Sequence, residues 1–151
     1  VFRSTQYLSD ADAQAIAVYL RALPQRAIAP AEVVKPSAAT LERGAKVYEQ
    51  HCAQCHGDNG EGKPGAFPAL AGNRAVVLQD PTNLVRVVLQ GGYLPATAGN
   101  PRPHGMPPFM QVLGDDDVAA VSTFVRNAWG NQASAVGTIG VYRARERRGS
   151  S

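Results

Sequence analysis

The sequence predicts an all-α protein. Several segments begin with residues that cap helices or favour a first turn, and they continue with apolar residues at helical spacing. No segment shows the apolar–polar alternation of a half-buried strand. Segments rich in glycine and proline separate the helical patterns. The 151 residues suit one compact domain with short appendages.

Residues 1–23 predict one helix outside the main domain. Ser9 can cap it, and two aspartates follow in the first turn, where the helix dipole favours acids. Apolar side chains recur at helical spacing until Pro24 stops the pattern. Residues 24–36 contain three prolines among small residues, which predicts a semi-extended linker.

Residues 37–130 predict the main domain, with three helices joined by long loops. The first helix is expected from Ser37 to about Cys52, a short one over 82–89 ended by Gly91-Gly92, and the last over about 115–128. The side chains expected to face inward are Leu84, Val87 and Val88 in the short helix, and Val118, Val121, Phe124 and Val125 in the last. The glycine- and proline-rich segments 57–73 and 93–108 are expected to be loops.

The motif Cys52-Ala53-Gln54-Cys55-His56 has the C-x-x-C-H pattern of covalent c-type haem attachment. Positions i, i+3 and i+4 share one face of a helical turn, so both thiols can reach the vinyl groups of one porphyrin. His56 would then be the proximal iron ligand. These two cysteines are the only ones in the chain, so we expect one covalent haem c and no disulfide. A haem also explains the long loops, since it supplies the apolar surface on which three to four helices and their loops can pack.

Two other interpretations of the motif are weaker. A zinc site needs four ligands, and no third cysteine is present; His51 and His104 would have to complete it without a second paired motif. A thioredoxin-like redox pair would need a βαβ context, which the sequence lacks.

The second axial ligand decides the class of function. Met106 lies in Gly105-Met106-Pro107-Pro108-Phe109, where two prolines stiffen the backbone behind the thioether. Met110, nearer the last helix, is expected to be packing, and His104 is the competing ligand. Ligation by His56 and Met106 predicts a closed, six-coordinate electron carrier rather than an enzyme. An open sixth site would instead indicate a haem enzyme or a gas sensor.

The charge distribution argues against nucleic-acid binding. The net charge is +3, and residues 131–151 alone contain four arginines and one glutamate, so the basicity lies in this segment and not on the main domain. We expect residues 131–151 to be a disordered basic tail. No apolar stretch reaches about 20 residues, so no transmembrane segment is expected.

Haem attachment predicts a periplasmic location or an equivalent oxidising compartment. Residues 1–30 show no secretory signal, which predicts a mature chain or part of a longer one.

Together these residues resemble a class I-type bacterial cytochrome c domain over about residues 37–130. The resemblance rests on Gly44 and Tyr48, the C-x-x-C-H motif, the segments 67–73 and 106–109, and the final helix. It implies that the first and last helices cross closely, with Gly44 against Phe124. It also implies that the Pro68 carbonyl orients the proximal histidine and that Leu70 lies near the haem.

A narrower resemblance is to the third haem domain of triheme cytochrome c subunits of membrane-bound dehydrogenases, of the alcohol, gluconate, sorbitol and some molybdenum hydroxylase types. It rests on segments 91–97, 107–109 and 125–131. Segments 4–10 and 15–20 resemble the end of the preceding domain in such subunits, so residues 1–23 would be its last helix. Tyr93, within this resemblance, is expected to contact the haem.

This resemblance implies a relay between redox partners. The expected partners are a dehydrogenase catalytic subunit, other haem domains, and quinone or a terminal oxidase, at the outer face of the cytoplasmic membrane. A free-standing periplasmic shuttle is the alternative.

Overall fold

The computed structural model describes residues 7–24, 33–93, 96 and 101–146. In these ranges the chain forms six helices: α1 (Asp10–Ala22), α2 (Ala38–His51), α3 (Ala53–His56), α4 (Thr82–Gln90), α5 (Asp115–Val125) and α6 (Thr138–Glu146). Extended pairing in the same ranges is limited to two isolated bridges, between residues 63 and 67 and between residues 92 and 106. The all-α prediction is therefore confirmed.

The chain divides into two units. One contains α1 and comprises residues 1–30 and 94–103; the other contains α2 to α6 and comprises residues 31–93 and 104–151. The Ser9 hydroxyl accepts a hydrogen bond from the Asp12 amide at 3.1 Å, so α1 begins at the predicted cap. No residue of α1 is buried. Most of the predicted linker, residues 25–32, lies outside the described residues.

Helices α2 and α5 pack closely where they cross. A β-carbon added at Gly44 would lie 2.2 Å from the Ala120 carbonyl oxygen and 2.7 Å from the β-carbon of Phe124. Only a residue without a side chain therefore fits at this position of α2. The expected contact between Gly44 and Phe124 is confirmed.

Helix α4 is apolar on two faces, and the predicted inward face is only partly correct. Its residues in the protein core are Val85 and Leu89, which are 2% and 0% exposed, whereas Val87 is 43% exposed. The three residues expected to face inward line an open apolar cleft: Leu84, Val87 and Val88. Two of them, Leu84 and Val88, also pack partly buried against the core. The spacing of apolar residues does not show whether a helix face packs against the protein core or lines a cleft.

Helix α5 ends at Val125, three residues before the predicted end. The amides of Asn127 and Ala128 both donate to the Phe124 carbonyl at 2.9 Å, which turns the chain out of the helix. Trp129 follows with a φ of +53°. Its ring centroid lies 4.9 Å from that of Tyr48 and 5.4 Å from that of Phe124. These three rings pack together where the chain changes direction after α5.

The prediction of a disordered tail over residues 131–151 is wrong for residues 131–146. The Val136 amide donates to the Thr123 hydroxyl at 2.9 Å, and α6 follows. Val141 and Ala144 of α6 are 0% and 5% exposed, because the helix packs against α4 and α5. This apolar pair outweighs the arginines around it. Residues 147–151 lie outside the described residues.

Candidate haem-binding site

The motif lies at the junction of α2 and α3. Cys52 ends α2 with φ −121° and ψ −38°, and its carbonyl accepts hydrogen bonds from the Cys55 and His56 amides at 3.1 and 3.0 Å. These bonds form the helical turn that places residues 52, 55 and 56 on one face. Gly57 then ends α3 with a φ of +79°. The turn expected from the spacing is present.

His56 is oriented by a backbone carbonyl. Its Nδ1 atom lies 2.9 Å from the Pro68 carbonyl oxygen, and the side chain is buried. A carbonyl oxygen only accepts, so in the neutral imidazole Nδ1 carries the proton and Nε2 keeps its lone pair. A neutral imidazole with a free Nε2 is the form that binds a metal ion. The expected contact between Pro68 and His56 is thus present.

Hydrogen bonds hold the loop that follows the motif. The Tyr48 hydroxyl donates to the Gly57 carbonyl at 2.7 Å, and the Leu70 amide donates to the Gly60 carbonyl at 2.7 Å. Asn131, which is 6% exposed, donates to the Leu70 carbonyl at 3.0 Å and accepts from the Gly72 amide at 3.0 Å. The loop is therefore connected to α2 and to the chain after α5.

An apolar cleft lies between α4, α5 and the motif. Its open space, including the part that faces solvent, is about 520 Å³. The lining combines the motif and its loop with apolar residues of α4 and α5: Cys52, His56, Pro68, Leu70, Leu84, Val87, Val88, Met106, Val121, Ser122 and Val125. A histidine, a thioether and a cysteine in an otherwise apolar wall fit a covalently attached haem.

Met106 enters the cleft from the opposite loop. Its amide and carbonyl both pair with Gly92, at 2.8 and 3.0 Å. A β-carbon at Gly91 would lie 2.3 Å from the Met106 carbonyl oxygen, and Gly91 has a φ of +70°. Both glycines therefore hold the Met106 backbone close to the end of α4. Of the two methionines, Met106 lines the cleft, whereas Met110 packs partly buried against the core, as the sequence predicted.

The two cysteines differ in their surroundings. Cys52 lines the cleft, and burial raises the pKa of its thiol to about 11, with a smaller contribution from Cys55. The free thiol at position 52 is therefore neutral at ordinary pH. Cys55 lies on the same turn and is partly exposed.

The structure does not bring Tyr93 to the cleft. Its side chain is 79% exposed, and its ring lies where a side chain at Gly105 would be. Its expected contact with the haem therefore stays a prediction. His104, the competing ligand, is exposed, with its ring 5.0 Å from that of Phe67.

Two buried polar residues at the site were not predicted. In the sequence, Asn131 belongs only to a segment that carries the resemblance, and no motif includes Ser122. The Ser122 side chain is 0% exposed, and its hydroxyl has no hydrogen-bond partner in the described part of the chain. The sequence signal for Ser122 was a serine among the apolar residues of α5.

Two further observations apply to the described ranges. Histidine, cysteine, aspartate and glutamate side chains do not form any group of three or more there that could hold a metal ion. The helices in these ranges are also too short or too polar to cross a membrane.

Comparisons with known proteins agree with this geometry. The family model for cytochrome c matches residues 41–129. The chain is 39% identical over 141 residues to the cytochrome c subunit of the quinone-type alcohol dehydrogenase of Gluconacetobacter polyoxogenes, covering 86% of this chain and 30% of that subunit. It is 35% identical to the gluconate 2-dehydrogenase cytochrome c subunit of Pantoea cypripedii, covering 91% of this chain and 33% of that subunit.

A shorter relative is matched over most of its own length. Cytochrome c-552 of Thermus thermophilus is 37% identical over 97 residues, which cover 62% of this chain and 73% of that protein. The chain thus spans about a third of the length of the dehydrogenase subunits. The resemblance expected from residues 37–130 is confirmed, and the chain belongs to the cytochrome c family.

Proposed function

We propose that this chain is a one-electron transfer domain with one haem c bound covalently through Cys52 and Cys55. His56 and Met106 are its axial ligands in this proposal. The observation that carries it is the single apolar cleft lined by both side chains, with the Nε2 lone pair of His56 left free by the Nδ1 hydrogen bond. When bound, the haem supplies a ferrous–ferric couple.

The residues of the chain favour transfer without bond-making on a substrate. Two protein ligands leave no open position on the iron for a substrate. The apolar walls from α4 and α5 offer few polar groups to a bound haem and disfavour added charge beside it. The Pro68 carbonyl makes the His56 imidazole a stronger electron donor, whereas the Met106 thioether is a weak, soft ligand.

We further propose that the domain is one relay in a multihaem subunit. The relatives from alcohol and gluconate dehydrogenases are cytochrome c subunits, and each is about three times as long as the segment that matches this chain. In this proposal α1 is the last helix of a preceding haem domain. The partners are a catalytic subunit, other haem domains, and quinone or a terminal oxidase, at the periplasmic face of the membrane.

Axial ligation is tested with Met106→Ala and the matched control Met110→Ala. The ferric sulfur-to-iron charge-transfer band should disappear in Met106→Ala, and the ferrous form should then bind carbon monoxide rapidly. Met110→Ala should keep the band, because Met110 packs against the core. A band that survives Met106→Ala would reject the assignment, and complete carbon monoxide binding by the unmutated protein would favour an enzyme or sensor.

Haem number is tested by mass spectrometry of the denatured protein. The chain should exceed its polypeptide mass by one haem. In the double variant Cys52→Ala with Cys55→Ala, acidified acetone should extract any haem that remains. A second haem per chain, or haem retained covalently by the double variant, would contradict the proposal.

A further inference from the structure

We infer that Arg145 of α6 is a positioning residue that holds the Met106 segment in its ligating position. This inference rests on the proposed ligation of the haem by Met106. Helix α6 lies after the residues matched by the cytochrome c family model, which end at 129. The contact is therefore made by a part of the chain outside the matched domain.

The guanidinium of Arg145 joins the turn after Met106 to the start of α5. Its Nη1 donates to the Met110 carbonyl, and its Nη2 donates to the Leu113 carbonyl at 3.0 Å. Its Nε pairs with Asp115 at 2.7 Å, and both side chains are about a quarter exposed. All three nitrogens are thus used, with limited access of water to the ion pair.

Met106 itself is held by its pairing with Gly92, but the residues that follow it have few other backbone hydrogen bonds. Pro107 and Pro108 have no amide hydrogen, so two consecutive residues after Met106 cannot donate. The next amides, of Phe109 and Met110, donate to α4 carbonyls at 3.1 Å. Within the turn 109–113, the Phe109 carbonyl accepts from the amides of Val112 and Leu113. Arg145 donates to two further carbonyls of this turn, those of Met110 and Leu113. The segment is therefore fixed to α4 at one end and to α6 at the other.

Helix α6 is a suitable support because it is itself firmly packed. Val141 is 0% exposed and Ala144, next to Arg145, is 5% exposed. A thioether binds iron weakly. The fraction of molecules with Met106 on the iron therefore depends on how much conformational freedom the segment must lose when the thioether binds. Loosening the turn at 110–113 should favour the state in which Met106 has left the iron.

The test is imidazole titration of the ferric holoprotein, with Arg145→Gln compared to Arg143→Gln. Imidazole competes with Met106 for the sixth position, so its apparent Kd reports how firmly the methionine is held. We expect the Kd to fall about tenfold in Arg145→Gln, the order expected for loss of a charge-assisted hydrogen bond. Arg143 is exposed on the same helix, so Arg143→Gln makes the same charge change and should shift the Kd by less than about twofold.

Urea unfolding of the same proteins separates positioning from stability. If Arg145→Gln lowers the unfolding midpoint but leaves the imidazole Kd equal to that of Arg143→Gln, the inference is overturned. If Arg145→Gln yields no holoprotein, Arg145→Lys replaces it. Lysine keeps the charge but lacks the planar fork of three separate nitrogens, so about a threefold fall is expected and an unchanged Kd overturns the inference. An unmutated protein without the charge-transfer band would reject Met106 ligation itself, which is a different result.

Discussion

The Nδ1 atom of His56 lies 2.9 Å from the carbonyl oxygen of Pro68, and Gly62 determines where that carbonyl can be. A β-carbon at Gly62 would lie 2.5 Å from the Phe67 carbonyl oxygen and 2.7 Å from the Pro68 carbonyl carbon. Gly62 also donates its amide to the His56 carbonyl at 2.7 Å. The glycine therefore sets the proximal hydrogen bond without touching the imidazole.

Gly62→Ala should raise the reduction potential of the haem. The added methyl group displaces the Pro68 carbonyl, and a weaker hydrogen bond makes the imidazole a poorer donor to ferric iron. Losing part of a hydrogen bond of about 1 kcal/mol corresponds to a rise of about 20–40 mV for a one-electron couple, measurable by redox titration.

Gly65→Ala is the matched control for this change. Gly65 lies in the same loop with a φ of +74°, but nothing is within 4 Å of the position of its β-carbon. Both variants have the same backbone strain, and only Gly62→Ala produces the collision. Equal potentials in the two variants would show that the Pro68 carbonyl does not tune the iron through His56.

Gly44→Ala should destabilise the protein despite the better helix propensity of alanine. Alanine in a helix gains about 1 kcal/mol over glycine, but overpacking a tight crossing costs about 1–3 kcal/mol and can cost more. The Ala120 carbonyl oxygen, 2.2 Å away, is backbone and cannot give way easily. We expect a net loss of about 1–2 kcal/mol in the free energy of unfolding, measured with urea.

Gly140→Ala is the comparison for Gly44→Ala. Gly140 lies inside α6 with nothing within 4 Å of an added β-carbon. It should gain about 0.5–1 kcal/mol from propensity alone. If both variants gain stability, the crossing of α2 and α5 is looser than the structure indicates.

The parts of the fold governed by local chemistry were predictable. Ser9 and Ser37 cap α1 and α2 as expected, because capping depends on residues within one turn. The C-x-x-C-H turn and the end of α4 at Gly91 likewise follow from neighbouring residues. The candidate cleft was predictable only in part. Met106 was predicted from its place in a proline-rich loop, whereas Pro68 was predicted only from the family resemblance.

The parts that depend on distant partners were not predictable. Arginines in the last segment indicated a solvated tail, yet Arg145 bonds carbonyls more than 30 residues away. The exposed position of Tyr93, with its ring against Gly105, likewise had no local signal in the sequence. Long-range contacts between a side chain and a backbone carbonyl leave no periodic pattern in a sequence.

Arg126→Met should unfold the domain more easily than any exposed arginine change. The Arg126 side chain is 1% exposed, and burial lowers the pKa of its guanidinium. It donates to the carbonyls of Val76, Leu78 and Ser134 at 2.7, 2.8 and 3.1 Å. Methionine leaves these acceptors without that donor, and each unsatisfied buried group costs about 1–3 kcal/mol.

We therefore expect a loss of at least about 3 kcal/mol for Arg126→Met in urea unfolding. Arg74→Met is the control, because Arg74 is exposed, and it should change stability by less than about 0.5 kcal/mol. A similar small effect in both variants would mean that the three carbonyls find other donors.

The adjacent residues Ser122 and Thr123 should respond to alanine in opposite directions. Both are 0% exposed, but the Thr123 hydroxyl accepts from the Val136 amide at 2.9 Å, whereas the Ser122 hydroxyl has no partner among the described residues. Thr123→Ala leaves the Val136 amide unsatisfied and should cost about 1–3 kcal/mol of unfolding free energy. Ser122→Ala removes a buried, unpaired hydroxyl from the wall of the cleft and should cost nothing or raise stability by up to about 1 kcal/mol.

Urea unfolding of the two holoproteins measures the difference. A loss in Ser122→Ala as large as that in Thr123→Ala would mean that the Ser122 hydroxyl has a partner in the haem-loaded cleft, which would make it part of the cofactor site.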